Sequence, residues 1–269
     1  MIKKIVFVLT ICSSAASIAG EQVWDFGLRD PGNTNGNTLT YQSRDGFNSV
    51  TASAWSSTGS NGCGTVNGKN ANDRYSCIED AKLKSYGGGL GVQNRREDND
   101  VPNHSIDNTN DYNDRYPNDQ DLDVDMVLLT FDHEVKITGF GTGWNWVDSD
   151  VSIVAYTGNN FTSFGNSNWS QILSNGWEVV DNKSTPLLNS GNQLRAFGVN
   201  DTDVYSKNWL VGAYSAAFSG RGWTDTNDGF KLNGLTAVKN PNTDPSQVSA
   251  PATLGMFALF GLFMAYRRK

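Results

Sequence analysis

Carboxylates dominate the chemically richest part of this chain. Between Arg95 and Asp125 stand Glu97, Asp98, Asp100, Asp107, Asp111, Asp114, Asp119, Asp121, Asp123 and Asp125, interleaved with asparagines. Calcium takes six to eight oxygen ligands, so the stretch has the composition of a calcium-stapled loop. Asp107, Asn108, Asp121 and Asp123 are the candidate ligands, because they lie nearest the ends of expected strands, where a scaffold can hold them. Asp148 and Asp150 are a further pair, or simply a polar turn. The spacing does not specify an EF-hand, since Asp119-x-Asp-x-Asp123 runs into Val124 where that loop needs glycine. The rival reading is a solvated acidic insertion whose like charges repel.

Two other residues could hold a ligand by their rings. Trp144 and Trp146 flank Asn145, and in an extended chain they share a face. On an outer face they would stack on sugar rings; on an inner face they fill the core, the commoner use of large aromatics. His104 and His133 are the two histidines, and nothing in their spacing brings them together. The chain has no Gly-x-Ser-x-Gly elbow, no paired zinc ligands and no phosphate loop. We therefore expect no catalysis, with an extracellular glycoside hydrolase as a distant alternative that rests on the abundance of carboxylates.

The elements that must position these residues read as strands. Segments 22–26, 38–41, 49–55, 125–131, 135–138, 151–156, 177–180, 209–214 and 230–235 are β-branched, aromatic or alternating, and Gly, Asn, Asp and Ser clusters separate them. Phe131-Asp-His-Glu134 reads as a hairpin turn, and 167–174 as the one helical turn. Short strands, 28 glycines and no long amphipathic period predict an all-β fold, a single β-sandwich of jelly-roll type.

The two ends differ from this middle. Lys3-Lys4, the apolar run 5–11 and Ser17-Ile18-Ala19 read as a secretory signal peptide over 1–19. With Cys12 removed alongside it, Cys63 and Cys77 are expected to form one disulfide, closing a loop of about fifteen residues worth roughly 3 kcal/mol. The formal charge is −7, and without the five basic residues of the two ends 16 bases face 28 acids, a balance of −12. That balance argues against a nucleic-acid partner. After the ectodomain, 20–239, a polar linker occupies 240–250 and an apolar segment 251–269 ends in Arg267-Arg268-Lys269. Its apolar run is about fifteen residues, roughly 22 Å as a helix against about 30 Å of hydrocarbon, with the cations placed for the cytoplasmic side. A plain tail anchor and a buried terminal helix are the other readings of this segment; a GPI signal would end apolar.

Ser249-Ala250-Pro251-Ala252-Thr253, the short apolar helix and the basic end together resemble the PEP-CTERM sorting signal of exosortase-dependent bacterial surface proteins, with Ser-Ala-Pro where Pro-Glu-Pro is usual. Gly89-Leu-Gly-Val92, His104-Ser-Ile-Asp-Asn108, Gly143-Trp144, Tyr156-Thr-Gly158, 209–214 and 228–232 are similar to the ectodomain of such proteins. The resemblance implies Sec export, a transient inner-membrane tether through the C-terminal helix, processing by an exosortase, and release to the cell surface or beyond. It carries over no catalytic residue. The expected role is that of an adhesive or structural surface or matrix protein. A calcium-dependent carbohydrate-binding module, with a glycan as its ligand, is the alternative.

Overall fold

The computed structural model describes residues 20–27, 36–58, 77–95, 105–108, 123–147, 149–184, 195–199, 203–218 and 228–242. Its strands are β1 (Glu21–Asp25), β2 (Thr38–Gln42), β3 (Ser49–Ser56), β4 (Glu79–Asp80), β5 (Lys82–Tyr86), β6 (Gly89–Gln93), β7 (Ile106–Asp107), β8 (Asp125–Val147), β9 (Val151–Tyr156), β10 (Trp177–Lys183), β11 (Arg195–Gly198), β12 (Ser206–Ala213) and β13 (Asp228–Lys239). One short helix, α1 (Trp169–Ile172), runs into a 3₁₀ turn at Leu173–Asn175.

Everything hangs on β8. Its 23 residues would span roughly 75 Å at the usual rise, several times the length of an ordinary strand. Along its first part it pairs with β3 through 125–131 and with β12 through 126–130; along its second part it pairs with β13 from Val135 to Val147 and with β11 from Gly139 to Thr142. The described strands therefore form one antiparallel sheet of 13 strands, with a main path β10-β9-β12-β8-β13-β6-β5. This overturns the expected jelly-roll sandwich.

The reason lies in Asp132-His133-Glu134. These polar residues were expected to reverse the chain, and they do not: β8 stays extended and changes partners there. β12 advances from Ser206 to Asn208 while β8 covers Val135 back to Thr130, so the tripeptide is taken up in an irregularity of the ladder. Asn240 secures it, its backbone N–H donating to the Glu134 carbonyl at 2.9 Å and its Nδ2 to Glu134 Oε2 at 2.6 Å.

Both faces of the sheet around β8, β9 and β12 are buried. Val127, Leu129 and Phe131 enter the larger apolar cluster with Ile153, Trp209 and Val211, while Met126 and Leu128 enter a smaller one with Val154 and Leu210. This explains why 125–131 and 209–214 read as continuous apolar runs rather than alternation. The larger cluster also takes Trp24, Leu83, Leu90, Phe230, Leu232 and Leu235. Each fully buried side chain of this size contributes about 1.5–3 kcal/mol by removal from water. The buried indoles keep their polar atom satisfied: Trp24 Nε1 donates to the Asn48 carbonyl at 3.3 Å and Trp209 Nε1 to the Ser206 carbonyl at 3.1 Å.

The smaller cluster is closed by α1. Asn168 caps it, accepting from the Gln171 N–H at 3.0 Å while Gln171 Oε1 accepts from the Asn168 N–H at 3.0 Å. Gly176, at φ 91°, ends the 3₁₀ turn. Trp169 and Ile172 point into the sheet. Among the described residues no helix is long and apolar enough to cross a membrane. No spanning helix thus supports the inner-membrane stage expected above, and segment 251–269, on which that expectation rests, lies outside the described residues.

Candidate functional site

The residues that could meet a ligand lie where β5, β6, β13 and β8 run side by side. Trp144 and Trp146 share a face, and neither belongs to an apolar cluster; both are partly exposed while Asn145 between them is buried. A bulge sets this direction. Upstream, Phe140 and Thr142 point inward, and unbroken alternation would send Trp144 and Trp146 after them. Lys231 is opposite Trp144 but Leu232 is opposite Thr142, so Gly143 is an extra residue and the alternation inverts across it. Asn145 then faces inward beside Phe230, and the two indoles face out.

Gly143 is required there. A Cβ would overlap the carbonyl oxygen of Gly88, in the turn between β5 and β6. The same turn is held from the other side by Gly89, at φ 120°, where a Cβ would strike the Leu232 backbone. This docking brings Tyr86 beside Lys231, whose ammonium lies 4.1 Å from the Tyr86 ring centre and 5.3 Å from that of Trp144. Burial pulls the Lys231 ammonium down from its ordinary value. Trp146 lies over Gly229, which leaves room for its ring. The result is a partly exposed platform on which one cation lies against the Tyr86 and Trp144 rings, with Trp146 farther along the same strand face. Such a platform can stack on a sugar ring and hold a polar or anionic substituent.

The acidic residues behave differently. Asp107, on β7, accepts from Ser105 Oγ at 2.6 Å. Asn108 is a clamp: its Nδ2 donates to Asp228 Oδ2 at 2.6 Å and to the Tyr214 carbonyl at 2.8 Å, and its Oδ1 accepts from the Asp228 N–H at 2.9 Å. Asp228 Oδ1 accepts from the Asp150 N–H at 2.6 Å. Asp123 is buried just before β8. Asp125 is fully buried, with Asn94 Nδ2 donating to its Oδ1 at 3.3 Å and, among the described residues, no hydrogen-bond partner on Oδ2. Burial, with the nearby Asp107 charge, pushes its carboxyl well above the ordinary range.

Among the described residues no group of three or more His, Cys, Asp or Glu side chains is placed to hold a metal ion. The described part of the calcium staple expected on Asp107, Asn108, Asp121 and Asp123 is corrected accordingly: Asp107, Asn108 and Asp123 form no such group, and protein donors take Asp107 Oδ2 and Asn108 Oδ1. Asp121 and Asp148 lie outside the described residues, as do His104, Cys63 and the sorting motif Ser249, Ala250, Pro251, Ala252 and Thr253. Cys77 is disulfide-bonded, and its partner is likewise outside them. A depression of about 320 Å³ elsewhere is lined by Gly139, Gly141 and Gly234 and, among polar residues, by Asn233, Thr236 and the Arg44–Asp25 ion pair, 3.1 Å apart.

Of the platform, the sequence singled out only the two indoles. Tyr86 and Lys231 were missed, although the alternation Lys82-Leu-Lys-Ser-Tyr86 could have marked an outward face ending in a ring. The fold and this face define a mostly-β, single-sheet protein with an outward aromatic platform. No protein-family model, curated protein or solved structure matches the chain.

Proposed function

We propose that this is a non-catalytic, adhesive protein of an extracellular matrix that holds polysaccharide on the Trp144–Trp146 face. The observation that carries the reading is the inversion at Gly143, which turns two indoles out of the core beside Tyr86 and Lys231. An aromatic stacking contact of about 1.5 kcal/mol corresponds to roughly tenfold in affinity. Trp144→Ala and Trp146→Ala are each expected to weaken retardation of the protein in polysaccharide-containing gels by about that factor, with no release of reducing sugar by the unsubstituted protein. Unchanged retardation in both variants would sink the reading, and steady release of sugar would replace it with a hydrolase.

The processing of the chain is proposed on the resemblance alone: Sec export and recognition of the Ser249–Thr253 motif by an exosortase. Intact-mass measurement on the protein from its native host tests this. Loss of the first nineteen or so residues and of the tail beyond about Ser249 is the expected result; a retained tail contradicts it.

A further inference from the structure

The face that carries the indoles also carries positive charge that, among the described residues, no carboxylate pairs. On β5, Leu83 and Ser85 point inward, while Lys82, Lys84 and Tyr86 occupy the other side. The β5–β6 register sets Lys82 opposite Gln93, Lys84 opposite Gly91 and Tyr86 opposite Gly89, so β6 puts no side chain beside Lys84 and Tyr86, while the Asp107 carboxylate, on β7 opposite Gly229, is buried and accepts from Ser105 Oγ. β13 joins β6 through Leu232 opposite Leu90, both in the core, which leaves Lys231 on the outward side next to the Gly91 position. Trp144 follows directly across from Lys231.

Three lysines and three aromatic rings therefore share one face. No ion pair among the described residues involves Lys82, Lys84 or Lys231; the cations so used are Arg44, Arg95, Lys136 and Lys183. The chain as a whole is acidic, at −7, and carboxylates to pair with are plentiful. Three ammonium groups with no carboxylate partner among the described residues, Lys231 among them lying against the Tyr86 and Trp144 rings, thus run against the composition. Beyond a Debye length of about 8 Å the remaining acidic surface is screened, so the local sign decides what docks.

We propose that this face selects acidic polysaccharide, its rings stacking on sugar faces while Lys231, Lys84 and Lys82 receive the carboxylates of uronate residues. The proposal rests on the glycan-binding reading above and names its substrate class. A nucleic acid fits less well, because three cations on an acidic protein are few against a charge that repeats every 3.4 Å or so along each strand.

The test measures binding of the full chain to four polymers: polygalacturonate, its methyl ester, dextran and single-stranded DNA. The expected result is binding to polygalacturonate that weakens with added salt, and binding to the uncharged ester at least about tenfold weaker. Lys231→Met, which keeps the apolar stem, and the surface double variant Lys82→Gln/Lys84→Gln should each lose about tenfold for polygalacturonate alone. The double variant carries the test if Lys231→Met lowers the melting temperature. Equal binding of acid and ester, unaffected by the lysine substitutions, overturns the acidic selectivity and leaves glycan binding standing. Equal binding of DNA overturns the polysaccharide class. Failure of the unsubstituted chain to bind any of the four overturns both readings.

Discussion

Asp125 shows how a single carboxyl can shape the stability of this protein. The unfolded chain releases this proton near the ordinary aspartate value of 3.8, whereas the folded chain keeps it to higher pH, because burial and the Asp107 charge oppose ionisation. Over that interval the folded state binds more protons, so stability is full below about pH 4 and falls as pH rises through the folded value. Asp125→Asn removes this dependence. Thermal unfolding across a pH series should give the variant a higher Tm than the parent towards neutral pH and no advantage at acid pH, the gain scaling at about 1.4 kcal/mol per unit of pKa difference. Parallel pH profiles would show that Asp125 is not the titrating group. At the same scale, Asn108 illustrates why a ligand list read from composition went astray. Its amide and oxygen are each committed to β13 or to the end of β12.

At the level of elements, the β5–β6 turn and the bulge in β8 form one unit. Glycine at 143 lets the Gly88 carbonyl oxygen approach, and the bulge it occupies decides which way two indoles point. Gly143→Ala is expected to cost about 1–3 kcal/mol, since the clash is with backbone that cannot rotate aside. It should also reduce polysaccharide binding by disturbing Tyr86. Gly88→Ala, by contrast, would bring its new methyl to an ordinary 3.6 Å from Trp144 Cβ and should leave both Tm and binding within error. Equal effects of the two substitutions in denaturant titrations would count against this account of the bulge.

For the whole molecule, β8 makes the two apolar clusters one cooperative system. Leu129 enters one cluster and Met126 the other, three residues apart on the same strand. Leu129→Ala and Met126→Ala are each expected to cost about 2–5 kcal/mol and to shift a single transition seen alike by tryptophan fluorescence and far-ultraviolet circular dichroism. Two separated transitions, one moved by each substitution, would mean that the clusters unfold independently and that β8 does not couple them.

Much of the β content could be read in advance, because it depends on local pattern. The strands at 22–26, 38–41, 49–55, 151–156, 177–180, 209–214 and 230–235 all recur with small changes at their ends, and the helical turn at 167–174 recurs as α1 with its 3₁₀ extension. The shared face of Trp144 and Trp146 was equally local, a consequence of period two. The arrangement was not. Whether Asp132-His133-Glu134 turns the chain back depends on which strands offer hydrogen bonds beyond it, and here β13 and β11 take over from β3 and β12 without a reversal. Whether two indoles face core or solvent depends on one inserted glycine and on a carbonyl from a turn more than fifty residues away. Sequence alone determined strands, their alternation and the residues able to stack or bear charge, since these follow from each residue and its near neighbours. Only the tertiary structure decided the partners of β8 and the outward platform, since long-range backbone contacts set both.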